Sequence, residues 1–440
     1  MHPVADNPRK TLSNVRKALF LTRNFPPLVT GGSSRAWKLA SNLSTIGWTP
    51  VVVAPPAVRE RDAAIPSGSN RVAEVHRTGP ETDAAGLEAA DMNALLHGRP
   101  VTSRRPLAAR LTGLFKDDDA GAIWQKLAAE HIERLLAEQP EIDMLYAQGP
   151  PIEPLMLALE TAKKHPLTVV LDITAPLDPA MPAPGATGSS SAAEAEVRIL
   201  LAGVPMLTPT RALKEYFLKK YIGRLDHGSI TIVPPSFDSS HPAFRKAPKS
   251  TPDRIMRIAL YIDDLPKADL KALVKGIEAW FGSDRIGSGD VELTCFGEGA
   301  PELANRTAKS PIRQMLSIDL SGSIGDQLDH CRNADLFCAV LARTPASTCT
   351  VPDRLVDALG MGLPLSAVLP DGPAAKLVID TGGMTAPAGD AEAIAGLFRT
   401  MAAARRDGAL RCASEELRQN YHTGNVIHEL TRAIAVQHVR

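Results

Sequence analysis

Short apolar runs alternate with longer amphipathic stretches along most of the chain, and that rhythm predicts an α/β protein. Ala18–Thr22 (ALFLT) and Val51–Ala54 (VVVA) are continuous apolar runs of strand length, as expected where a parallel sheet is covered on both faces. Between them Trp37, Leu39, Ala40, Leu43 and Ile46 fall on roughly one face of a helix, which Ser33 or Ser34 can cap and Gly47 closes. This strand, glycine loop, helix and strand form the opening unit of a doubly wound sheet. A third strand is expected over Val72–His76 and a helix over 84–97. Strands at 142–147, 167–171, 204–208 and 229–233 then alternate with helices at 120–139, 152–164, 192–201 and 210–220. A proline-rich stretch at 239–253 breaks the rhythm, which restarts with Ile258–Ile262 and further strands at 291–296, 316–320, 336–341 and 363–369. The pattern divides the chain into a tail (1–16), a first domain (17–240), a linker (241–255), a second domain (256–418) and a terminal helix (419–440).

Composition narrows the function classes. Forty-nine basic and 49 acidic residues cancel, so no global field favours nucleic acid or an anionic membrane. The hydrophobic share of 44% suits a globular core. Cysteines at 295, 331, 338, 349 and 412 form no CxxC pair, which argues against a disulfide framework or a zinc site. The polar N-terminus carries no signal-like apolar core, and no apolar run reaches the roughly 18 residues that would span a membrane. Arg104, Arg105, Arg110 and Lys116 make one basic stretch, read as a solvated face or as a contact for a phosphate-bearing acceptor.

Two stretches carry candidate chemistry. Gly31 and Gly32 follow the first strand, where glycine lets the backbone approach a ligand, yet the dinucleotide pattern GxGxxG is absent and a nicotinamide or flavin enzyme is disfavoured. In Val351–Gly372 (VPDRLVDALGMGLPLSAVLPDG), Leu355, Val356 and Leu359 predict a short helix ended by Gly360 and Gly362, followed by a strand. The N-terminus of such a helix attracts anions, although the same pattern fits an ordinary αβ unit.

These stretches resemble the retaining glycosyltransferases of GT-B architecture, in the family 4-like group. RNFPPLVTGGSSRAWKLASNLSTIGWTPVVVA is similar to the family's opening, with Gly31 and Gly32 in the loop that faces the donor phosphates. The family's C-terminal pattern is an acid, seven residues, a second acid and a Gly-x-Pro; here Asp357 takes the second acid's place and Gly362, Leu363 and Pro364 follow. Cys349 stands where the first acid belongs. Asp172 keeps the first acid of the family's motif after the fifth strand, whose arginine and second acid are not aligned. Asp263 and Asp264 occupy the place of the Gly-Arg that binds the donor diphosphate, leaving Lys267 as the remaining cation, with Lys271 as its competitor.

The resemblance implies two Rossmann-like domains facing across a cleft and transfer of a sugar from a nucleotide-diphosphate sugar to a glycan or lipid-linked acceptor. No metal or other cofactor is expected. It assigns Asp172 to catalysis and Gly31, Gly32, Lys267, Gly297, Thr350, Arg354 and Asp357 to the donor. It also implies a cytoplasmic setting in polysaccharide or glycolipid synthesis, with peripheral contact at the inner membrane face. The departures support an alternative, a non-catalytic protein that uses the fold for binding or assembly.

Overall fold

A computed structural model gives the structure of the chain and describes residues 16–26, 32–55, 74–78, 117–178, 191–244, 255–284, 289–320 and 324–435. Gly31, the predicted helix at 84–97, the basic stretch at 104–116, the tail to residue 15 and most of the linker lie outside those residues.

The first seven strands are β1 (Arg16–Leu21), β2 (Trp48–Ala54), β3 (Glu74–Arg77), β4 (Ile142–Gly149), β5 (Thr168–Ile173), β6 (Met206–Thr208) and β7 (Ile230–Ile232). They form one sheet in the order β3-β2-β1-β4-β5-β6-β7, and every pairing is parallel. Helices α1 (Ser33–Asn42), α2 (Asp117–Glu138), α3 (Glu153–Ala162), α4 (Ser191–Leu200) and α5 (Arg211–Lys220) connect them. Side chains alternate across the strands. Leu19, Leu21, Val51, Val53, Leu145 and Leu171 join one core layer; Ala18, Phe20, Val52, Met144, Tyr146 and Val170 join the other. Both faces are buried, which is why these strands read as unbroken apolar runs rather than as an alternation.

The second sheet repeats this design. Strands β8 (Met256–Ile262), β9 (Val291–Phe296), β10 (Leu316–Ile318), β11 (Leu336–Val340), β12 (Leu365–Val368) and β13 (Met384–Ala386) lie in the order β10-β9-β8-β11-β12-β13, again all parallel. Its helices are α6 (Lys267–Asp284), α7 (Ala300–Thr307), α8 (Ile324–Asn333), α9 (Asp353–Gly360), α10 (Pro373–Asp380) and α11 (Ala391–Arg406). Ile258, Leu260 and Ile262 face one core layer with Trp280 and Phe398, while Ala259 faces the other with Phe337 and Leu355.

The chain crosses between domains twice. Phe237 and Ala243 pack into the second domain's core. After α12 (Glu415–Gln419), the chain returns as α13 (Thr423–Ala435), whose Val426, Ile427, Leu430, Ala433 and Ile434 join the first domain's core beside Trp37 and Leu39. The crossings lie side by side: Phe237 donates its amide to the Tyr421 carbonyl at 2.9 Å and accepts from the Thr423 amide at 3.0 Å.

Candidate functional site

In each sheet the strand order reverses beside the domain's first strand, between β1 and β4 and between β8 and β11. Ligands of open α/β sheets bind outside the carboxyl ends of the strands at such switch points. A cleft of about 300 Å³ opens there, lined from both domains. Asn24 and Gly32 reach it from the loop after β1, Pro150 from the loop after β4 and Thr174 from the loop after β5. Asp263 reaches it from the end of β8, and Leu341, Ser347, Thr350 and Asp353 from the segment joining β11 to α9.

Arg35, in the first turn of α1, forms part of the cleft wall. Its Nε donates to Asp172 Oδ2 at 2.6 Å and its Nη2 to Oδ1 at 2.9 Å, a two-point fork. Its Nη1 donates to the Pro234 carbonyl at 3.1 Å, and the Tyr146 hydroxyl donates to Asp172 Oδ2. Burial opposes the Arg35 charge, but Asp172 outweighs that penalty and the pKa of the guanidinium is raised. Burial and the Asp172 charge push the Tyr146 hydroxyl upward as well. Asp172, assigned to catalysis by the family resemblance, is 0% exposed with both oxygens engaged. It stands behind Arg35, and Arg35 faces the cleft.

The opposite wall carries carboxylates. Asp263 Oδ1 accepts from the Asp264 amide at 3.0 Å; burial, with the neighbouring Asp264 charge, holds its pKa above the ordinary carboxylate value. Asp353 begins α9, and burial raises its pKa too. Its Oδ2 has no hydrogen-bond partner among the described residues. Arg35 is the one Lys or Arg lining the cleft among the described residues, and it is already bonded to Asp172.

The described donor residues read from the sequence fall into four places. Gly32 and Thr350 line the cleft from opposite domains. Arg354 and Asp357 lie buried on α9, outside the lining, with Arg354 Nη2 at 3.1 Å from Asp357 Oδ2. Lys267 is exposed at the start of α6, also outside the lining. Gly297 has φ of 106°, and a Cβ there would sit 2.4 Å from the Ile262 carbonyl, so glycine lets the β9 loop pass close beneath the end of β8. Cys349, at the first-acid position, packs into the first domain's core and its carbonyl accepts from the Thr210 hydroxyl. Arg343, a second cation near the site, is held by Asp269, with Nη2 2.6 Å from Oδ1.

Sequence reasoning passed over Arg35 and Lys38. Lys38 Nζ crosses the interface to donate to Asp357 Oδ1 at 2.7 Å. The readable signal was two cations one turn apart on the helix that follows a glycine loop.

Solved structures with this arrangement cover nearly the whole chain. A glycosyltransferase from Rickettsia africae aligns with TM-score 0.61 and 14% identity over 96% of this chain and 98% of its own. Anabaena HepE in complex with UDP-glucose aligns with TM-score 0.62 and 12% identity over 96% and 99%. The fold is GT-B. A mutant of S. aureus TarM, in complex with Fondaparinux, α-GlcNAc-glycerol and UDP, aligns with TM-score 0.62 and 10% identity over 96% and 100%. No family model and no curated protein sequence matches the chain. Among the described residues, no helix is long and apolar enough to cross a membrane.

Proposed function

We propose that this GT-B protein is a glycosyltransferase that moves a sugar, with retention, from a nucleotide-diphosphate sugar to a glycan or lipid-linked acceptor. One observation carries the reading: loops after the strands flanking both switch points converge on a single cleft between the domains. The similarity to the UDP-glucose complex of HepE supports the donor class. In this reading Gly32 and Thr350 approach the donor phosphates, Asp357 meets the ribose hydroxyls, and Arg354 with Lys267 supplies positive charge when the domains part. Asp172 acts through Arg35, which it aims at the cleft. The family resemblance extends the proposal to glycolipid or polysaccharide assembly at the cytoplasmic face of a membrane.

Transfer from such a donor builds charge on the departing diphosphate, and catalytic sites gain most by stabilising charge of this kind. Asp263 and Asp353 work against it, and Lys38 holds Asp357. Those features favour the second reading, a GT-B protein that binds a ligand without turnover. Calorimetric titration with UDP, GDP and ADP separates a nucleotide site from none. Release of nucleoside diphosphate from the matching nucleotide sugar then separates enzyme from binder. Gly32→Val places side-chain atoms against Asn24, whose Nδ2 already lies 3.0 Å from the Cβ position, and should weaken nucleotide binding in a folded protein. Unchanged affinity would remove Gly32 from the donor site.

A further inference from the structure

We propose that Lys38 locks the two domains shut over Asp357 and has to release it before that carboxylate can meet a ligand. The proposal deepens the donor reading above, because it concerns access to the residue assigned to the ribose.

Lys38 belongs to the first domain and Asp357 to the second, 319 positions apart in sequence. Lys38 is 4% exposed and Asp357 1%. Lys38 Nζ donates to Asp357 Oδ1 at 2.7 Å and to the Ser236 carbonyl at 2.6 Å. Arg354 lies against the other carboxylate oxygen. Lys38 thus bonds one oxygen, Arg354 lies beside the other, and at 1% exposure the carboxylate is closed to a sugar diol while the lock is shut.

The surroundings favour an arrangement that is either fully made or broken. The Phe237 ring, from the first crossing segment, lies directly against Gly360 at the end of α9, where a Cβ would meet it at 2.3 Å. Thr423 donates its hydroxyl to the Phe237 carbonyl at 2.7 Å, and Asn42 reaches Asp238 at 3.4 Å. The ion pair thus adjoins the two segments that cross between the domains. A buried ion pair adds little net stability but is costly to break from one side, which suits a device that specifies one arrangement of the domains.

Lys38→Met keeps the aliphatic stem and removes the charge. Hydrogen exchange measured on the full chain should accelerate at least tenfold for amides of residues 354–360, and the Kd for UDP, used as the probe, should fall at least tenfold. Lys38→Arg should behave as wild type in both measurements. Unaltered exchange in Lys38→Met overturns the lock. So does accelerated exchange with a UDP affinity no tighter than a measurable wild-type value. If wild type and variant both fail to bind UDP while exchange accelerates, the donor reading falls and the lock between domains stands. Should Lys38→Met not fold, Asp357→Asn weakens the same contact from the other side, and its exchange over 354–360 decides in the same way.

Discussion

Removing Asp172 should cost stability before it costs chemistry. In Asp172→Ala, Arg35 keeps only the Pro234 carbonyl and the Tyr146 hydroxyl loses its acceptor, all in a region where Arg35 is 5% and Asp172 0% exposed. Breaking a buried ion pair from one side costs about 3–5 kcal/mol, because a desolvated charge is left uncompensated. A domain of this size shifts by about 2–4 °C per kcal/mol, so the first domain's melting midpoint should fall by about 6–20 °C. Differential scanning calorimetry on the full chain reads this directly. The triple replacement Arg35→Met, Asp172→Leu, Tyr146→Phe removes the polar groups together and should recover most of the loss, since buried pairs are often matched by apolar residues of similar volume. A single mutant melting within about 2 °C of wild type would refute the argument, since that corresponds to less than about 1 kcal/mol. Loss of turnover in such a stable variant would return Asp172 to catalysis.

Gly360→Ala puts a Cβ 2.3 Å from the Phe237 ring and should destabilise the packing of the first crossing segment on α9 by about 1–3 kcal/mol, read by urea denaturation. Trp280→Ala empties a fully buried site stacked on Phe398 at 5.0 Å and should cost the second domain about 3–5 kcal/mol, seen as a lower calorimetric transition. For Asp263 the folded pKa is raised, so its favourable contribution is complete below the ordinary value of 3.8 and is lost as pH rises through the folded value. Asp263→Asn should therefore melt above wild type at pH 7, with the difference shrinking as pH falls toward 3.8; a variant that melts lower at pH 7 would contradict this.

The α/β class was legible because strands covered on both faces read as near-continuous apolar runs, as VVVA does throughout and LTVVL does apart from Thr168. Boundaries were less so: the third strand is Glu74–Arg77 against the expected 72–76, since β3 is an edge strand with little burial to mark it. The site was harder still. Gly32 and Thr350 could be placed on cleft loops because a loop after a parallel strand has one place to go. The environment of Asp357 could not, because its partner Lys38 lies in the other domain and nothing local to α9 reports it. Asp172 shows the same limit. A carboxylate at the end of a strand does not reveal, from the sequence, that an arginine from another helix bonds both its oxygens.

The return of α13 to the first domain bears on how the chain is made. The sheet of that domain ends with β7 at Ile232, but the helix that completes one of its apolar faces runs to residue 435. A ribosome adding about 5–20 residues per second needs roughly 10–40 s for the stretch between them. During that interval the surface around Trp37 and Leu39 lacks its cover of Val426, Ile427 and Leu430. The first domain emerges first and is finished last. A nascent chain stalled before residue 423 would present that surface to chaperones, and a clone ending at residue 240 would carry it permanently.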